Sequence, residues 1–149
     1  MQTLSLFLTV AGFVIGHGAV TVIDLHGFLG RTNSYWNEAT IRTHKITKPL
    51  IWIGMALVGL GTYLASASGL LTHTESALRF GLIGILVLNG CFLTFVVSPA
   101  LLKREREGKA TELLPKTFQK KIAQSFVISF LGWWSLVYLF VSHLVYITK

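Results

Sequence analysis

The amino-acid sequence predicts an all-α fold, an integral membrane four-helix bundle formed by one domain over residues 1–149. Three observations carry that prediction. Charged residues make up 13% of the chain and hydrophobic ones 52%, whereas a water-soluble domain carries roughly 25% charged residues to solvate its surface. Mean hydropathy is +0.64. The charges are gathered into short segments, leaving four apolar runs that each reach the roughly 20 residues a helix needs to cross a hydrocarbon core. Strands do not account for these runs. Lipid accepts only closed barrels, and the runs lack the polar–apolar alternation of barrel strands.

The first span is expected over about residues 4–30. Met1-Gln2-Thr3 leads straight into it without a basic flank, and it is longer than a signal-peptide core and contains His17 and Asp24, so it reads as a mature helix. The second span is expected over about 46–67, with Pro49 in its first turn, where a missing N–H does no harm. The third covers about 78–102 and the fourth about 122–147.

The connections set an orientation. The first, Arg31 to Lys48, carries four basic residues against Glu38, and the third, Lys103 to Lys121, carries seven against three acidic ones. The second, Ser68 to Ala77, has no Lys or Arg. The positive-inside rule then places loops one and three in the cytoplasm and both termini outside a multi-pass protein of the cell membrane. Trp36, Trp52, Trp133, Trp134, Tyr138 and Tyr146 are candidate interfacial anchors.

A net charge of +7 raises nucleic acid as a partner, but the basic residues sit between apolar spans, where anionic lipid headgroups are the better match. The expected partners are the lipid bilayer and further copies or subunits of a membrane complex, with no nucleic acid. A lone Cys91 excludes an internal disulfide or a dithiol relay.

Small residues mark helix contacts. At 100° per residue Gly12, Gly16, Ala19, Gly27 and Gly30 share a side of the first span, and Gly54, Gly59, Gly61 and Gly81, Gly84, Gly90 recur in the next two. The opposite face of the first span carries His17, Thr21, Asp24 and Arg31. Ionisable groups at membrane depth are costly and therefore functional candidates. His17 and Asp24 are seven residues apart, close to two turns, and form the candidate metal pair. His26 lies about 180° from His17, so the two cannot share one ion from a regular helix. His17 and Asn89 sit near mid-membrane; Asp24, His26, His44 and Lys48 lie toward the cytoplasmic end. His17, Asp24, His26, His44, Lys48 and Asn89 are the candidate cofactor-binding residues. Haem b between two histidines would need a pair at one depth, and His26 and His44 come nearest. A proton or ion relay through His17, Asp24 and Asn89 is the alternative, and an accessory subunit whose polar groups serve only packing is the third.

Gly16-His17-Gly18, Arg42-Thr43-His44-Lys45 and Lys48-Pro49 follow an order of features that resembles the small four-helix membrane proteins grouped around copper-resistance protein D and the membrane-bound protoporphyrinogen oxidase. Those proteins carry a histidine in the first helix, then a basic cytoplasmic segment, then a second helix opening near a proline. The resemblance spans most of the chain and implies haem, porphyrin or copper handling, with His17 functional. The oxidase type also uses a lysine in a later helix, which the third span here does not offer.

Overall fold

Hydropathy sets where a helix can sit in lipid, but caps and packing set where it starts and stops. The structure is a computed structural model that describes residues 1–147, with side chains described through Val145; the Tyr146 anchor therefore lies outside the described side chains. Four long helices follow one another: α1 over Gln2–Leu29, α2 over Ser34–Ala67, α3 over His73–Arg106 and α4 over Lys116–Ile147. All four are long and apolar enough to span a bilayer. The chain is a multi-pass membrane protein, as the composition requires. Each helix packs on its sequence neighbour and α4 closes back on α1, which makes a four-membered ring.

Three helices start earlier than expected, α2 by the most. α2 begins at Ser34, not near residue 46, because Asn33 caps it by accepting from Tyr35 N–H and because its polar first turns find partners. Ile41 is buried against Val97 and Leu101, and the buried Asn37 amide donates to the Ala110 and Glu112 carbonyls at 2.8 and 3.0 Å. Pro49 consequently lies deep inside α2 instead of in its first turn, and there it leaves the Lys45 carbonyl without the donor four residues on. α4 likewise begins at Lys116. α3 opens with a reciprocal capping box between Thr72 and Glu75.

Each of α1 and α3 contains one five-residue π-helical stretch, Phe13–His17 and Leu93–Val97. Such a wide turn rotates everything beyond it relative to a regular helix. The stretch in α3 borders the cavity described below, whereas Phe13 and His17 of the stretch in α1 pack on Trp133.

The middle of the bundle is dry. Val20, Met55, Val58, Leu86, Trp133 and Leu136 form one buried cluster. Trp133, expected at an interface, is 1% exposed, and the space for it exists because Gly16 offers no side chain beneath its ring. Gly12 and Gly16 meet Gly54 and Val58 at the α1–α2 crossing, and Gly61 meets Ser5 and Thr9. Gly59, Gly81 and Gly84 face open space and play no part in packing.

Candidate functional site

Beyond this dry layer, toward the end that carries the 31–33 and 107–115 connections, the four helices enclose a cavity of about 100 Å³. A water needs roughly 10–15 Å³ on the same measure, so the space holds several waters or part of a larger ligand. Every helix contributes a wall. α1 supplies Asp24, Gly27, Phe28 and Arg31; α2 supplies Thr40, His44, Lys48, Ile51 and Trp52; α3 supplies Leu93, Thr94 and Val97; α4 supplies Ile122 and Phe126.

The local fold explains who lines it. A side chain at Gly27 would meet nothing within 4 Å, so this glycine leaves room in the cavity instead of bringing helices together. The π-helical stretch of α3 delivers Leu93, Thr94 and Val97. Trp52 is fixed by its Nε1–H, which donates to Thr94 Oγ1 at 3.2 Å, and its ring rests on Gly90. Arg31 lies over the Phe28 ring, 4.7 Å from its centroid.

The charged lining is not spent on itself. Neither Asp24 nor Lys48 has an ion-pair partner among the described residues. His44 Nε2 is buried and has no hydrogen-bond partner. Two fixed cations, Arg31 and Lys48, thus face one carboxylate, Asp24, in a largely apolar chamber. That surplus of positive charge favours an anionic group.

A smaller space lies next to it and shares Gly27, Arg31, Thr40, Leu101 and Ile122. The 107–115 connection covers this side. It is strapped down by Asn37, by Gln119 Nε2 donating to Leu114 O at 2.8 Å and by Arg104 donating to Glu112 O.

Of the sequence-derived candidates, Asp24, His44 and Lys48 are brought together. The others go elsewhere. His17 closes the π-helical stretch of α1 and packs on Trp133 and Trp134, with ring centroids 5.9 and 4.9 Å away. His26 rests on Trp36 at 5.2 Å. The Nδ1 atoms of both are buried without a partner, yet neither residue lines the cavity. His17 is thus not gathered with Asp24, nor His26 with His44. No group of three or more His, Cys, Asp or Glu side chains able to hold a metal ion occurs among the described residues. Asn89 is committed to structure: its Nδ2 donates to Ser125 O and Ser129 Oγ, and its Oδ1 accepts from Ser125 Oγ at 2.7 Å. It clamps α3 to α4.

Thr40 and Trp52 were not singled out from sequence as site residues. Trp52 reads as an interfacial anchor, and only its Thr94 partner reveals that it faces inward. Compared with known proteins, the chain matches no family model, no curated protein and no solved structure.

Proposed function

We propose that the protein binds an anionic amphiphile, with porphyrin-type cofactors as the leading class, whose acidic group enters the cavity between its four helices. The observation that carries this reading is the set Asp24, Arg31, His44 and Lys48 on the walls of an otherwise apolar chamber, with a histidine nitrogen left unpartnered. Lys48 and Arg31 would hold a carboxylate by charge-assisted hydrogen bonds. Trp52, Ile51 and Phe126 offer the apolar body a wall. If the ligand carries iron, as haem b does, His44 is the residue available to ligate it, and redox chemistry would come from that metal. The order Gly16-His17-Gly18, then His44, then Lys48-Pro49, which resembles haem- and porphyrin-handling four-helix proteins, supports the same class. The basic loops support a cytoplasmic position for the cavity.

Transport is the less favoured reading. A route across the bilayer would have to pass the packed Val20, Met55, Val58, Leu86, Trp133 and Leu136 layer.

The test is a titration of the detergent-purified full chain with protoporphyrin IX and with haemin, following tryptophan quenching and the Soret band. Saturable binding is expected. Lys48→Met or Arg31→Met should weaken it about tenfold, the loss of one hydrogen bond to a charged group. His44→Ala should alter the haemin Soret band while leaving protoporphyrin affinity nearly unchanged. Absence of saturable binding, or binding indifferent to all three substitutions, sinks the proposal.

A further inference from the structure

A second feature lies on the outside of the bundle, on the lipid-facing seam between α3 and α4. An open groove of about 450 Å³ runs there, lined by Ile85, Leu88 and Phe92 of α3 and by Lys121, Gln124 and Ile128 of α4. Its apolar part is bare: Leu88 is 72% exposed. The Asn89–Ser125 hydrogen bonds fix the register of the two antiparallel helices. Lys121 and Gln124 therefore sit at the end of the groove nearer the 107–115 connection, while Ile85 and Ile128 lie toward mid-bilayer.

Lys121 and Gln124 are three residues apart and share one helix face. Both are exposed, and neither has a hydrogen-bond or ion-pair partner among the described residues. An amide bordering hydrocarbon is costly until it is satisfied. The groove thus joins two unfilled donors at one end to an apolar trough at the other, oriented as a phospholipid is in the adjoining leaflet. The neighbouring Lys116 and Lys120 also have no ion pair among the described residues, so the headgroup favoured here is one with net negative charge.

We propose that this groove is a binding site for one anionic phospholipid. Its phosphate accepts from Lys121 Nζ and the Gln124 amide, and one acyl chain lies along Leu88 and Ile128. The site is separate from the interior cavity, with which it shares no residue.

The experiment is native mass spectrometry of the full chain released from detergent after incubation with equal amounts of phosphatidylglycerol and phosphatidylcholine. One retained phosphatidylglycerol is expected. Lys121→Ala should lower its retention about fivefold, as for one lysine beside an anionic surface, and adding Gln124→Leu should remove the preference. Leu88→Trp, which fills the trough but keeps both donors, should also lower retention, and excess glycerol phosphate should not compete; together these identify a lipid instead of a free phosphate. Lys109→Ala, at a loop lysine paired with Glu107 at 3.0 Å, should change nothing. Both groove residues are exposed, so the variants should melt with the parent chain. Equal retention of the two lipids, retention undiminished in Lys121→Ala, or an equal loss in Lys109→Ala overturns the proposal.

Discussion

Both ends of the bundle hold ionisable side chains, but they use them differently. At the end that carries the 68–72 connection, Glu75 joins His143 at 3.0 Å and closes the Thr72 cap. The buried Arg79 donates to Leu139 O at 3.1 Å, Ser5 donates to Gly61 O, and Ser76 meets Ser66. One atom of that cluster, Arg79 Nε, has no partner. At the opposite end Asp24, Lys48 and His44 Nε2 line a cavity and are left without ion pairs or a hydrogen bond. Polarity at membrane depth is thus not by itself a mark of function. A charged group held by partners inside the fold, as Arg79 is by Leu139 O even beside its small cavity, is structural; one with neither ion pair nor hydrogen bond beside a cavity is available to a ligand.

The sharpest way to break this contrast is to cut the knitted end. Glu75→Ala removes the carboxylate that caps α3 and the bond to His143, and leaves Arg79 without a nearby counter-charge. Loss of a helix cap and of one partly exposed charged hydrogen bond together cost about 2–3 kcal/mol. A matching fall in thermal stability in detergent is expected, with porphyrin affinity of the folded fraction unchanged. An unchanged melting temperature would mean that the cluster does not hold the bundle.

A second comparison sets two glycines against each other. A Cβ at Gly54 would overlap the backbone of Gly16, whereas one at Gly27 meets nothing within 4 Å. Gly54→Ala should therefore destabilise by about 1–3 kcal/mol through overpacking. Gly27→Ala should be neutral or stabilising by up to about 1 kcal/mol, since alanine is the better helix former, while narrowing the cavity and weakening its ligand. Melting curves read the first effect and porphyrin titration the second. Equal destabilisation by both substitutions would show that Gly27 is a packing position.

The two glycines also show how far the sequence could be read. Gly27 falls on one nominal stripe with Gly12 and Gly16, which meet Gly54 across the α1–α2 crossing, and a wheel drawn at 100° per residue cannot tell the crossing from the cavity. The π-helical stretch at Phe13–His17 breaks that wheel, and no residue preference announces it. The spans themselves were legible because solvation by lipid is a bulk property of composition. Their starts at Ser34 and Lys116 were not, since Asn37 and Ile41 extend α2 through contacts with distant segments. Depth placed Asp24, His44 and Lys48 at one level, and the structure joins them. It placed His17 with Asn89 equally well, and there the fold separates them: a Trp pair takes the histidine, Ser125 and Ser129 take the asparagine. Depth is set by position along a helix. Facing depends on the partner helix, which one helix's sequence does not contain.

The smallest expected effect is the most discriminating. Asp24→Asn keeps the shape of the side chain and removes a charge that has no ion-pair partner among the described residues. A structural carboxylate in this setting would be missed, because its cation would be left unbalanced, as at Glu75. A carboxylate kept for a ligand-binding cavity should instead be dispensable for folding, since functional sites commonly hold groups at some expense of stability. The variant should melt within about 0.5 kcal/mol of the parent, on the stable side if either, as for a substitution that touches no structural partner. With Asp24 neutral, Arg31 and Lys48 face the cavity unopposed, so an anionic porphyrin should bind no more weakly and its affinity should rise as salt is lowered. A loss of stability comparable to that of Glu75→Ala would mean that Asp24 is knitted in as well, and the distinction between the two ends would fall.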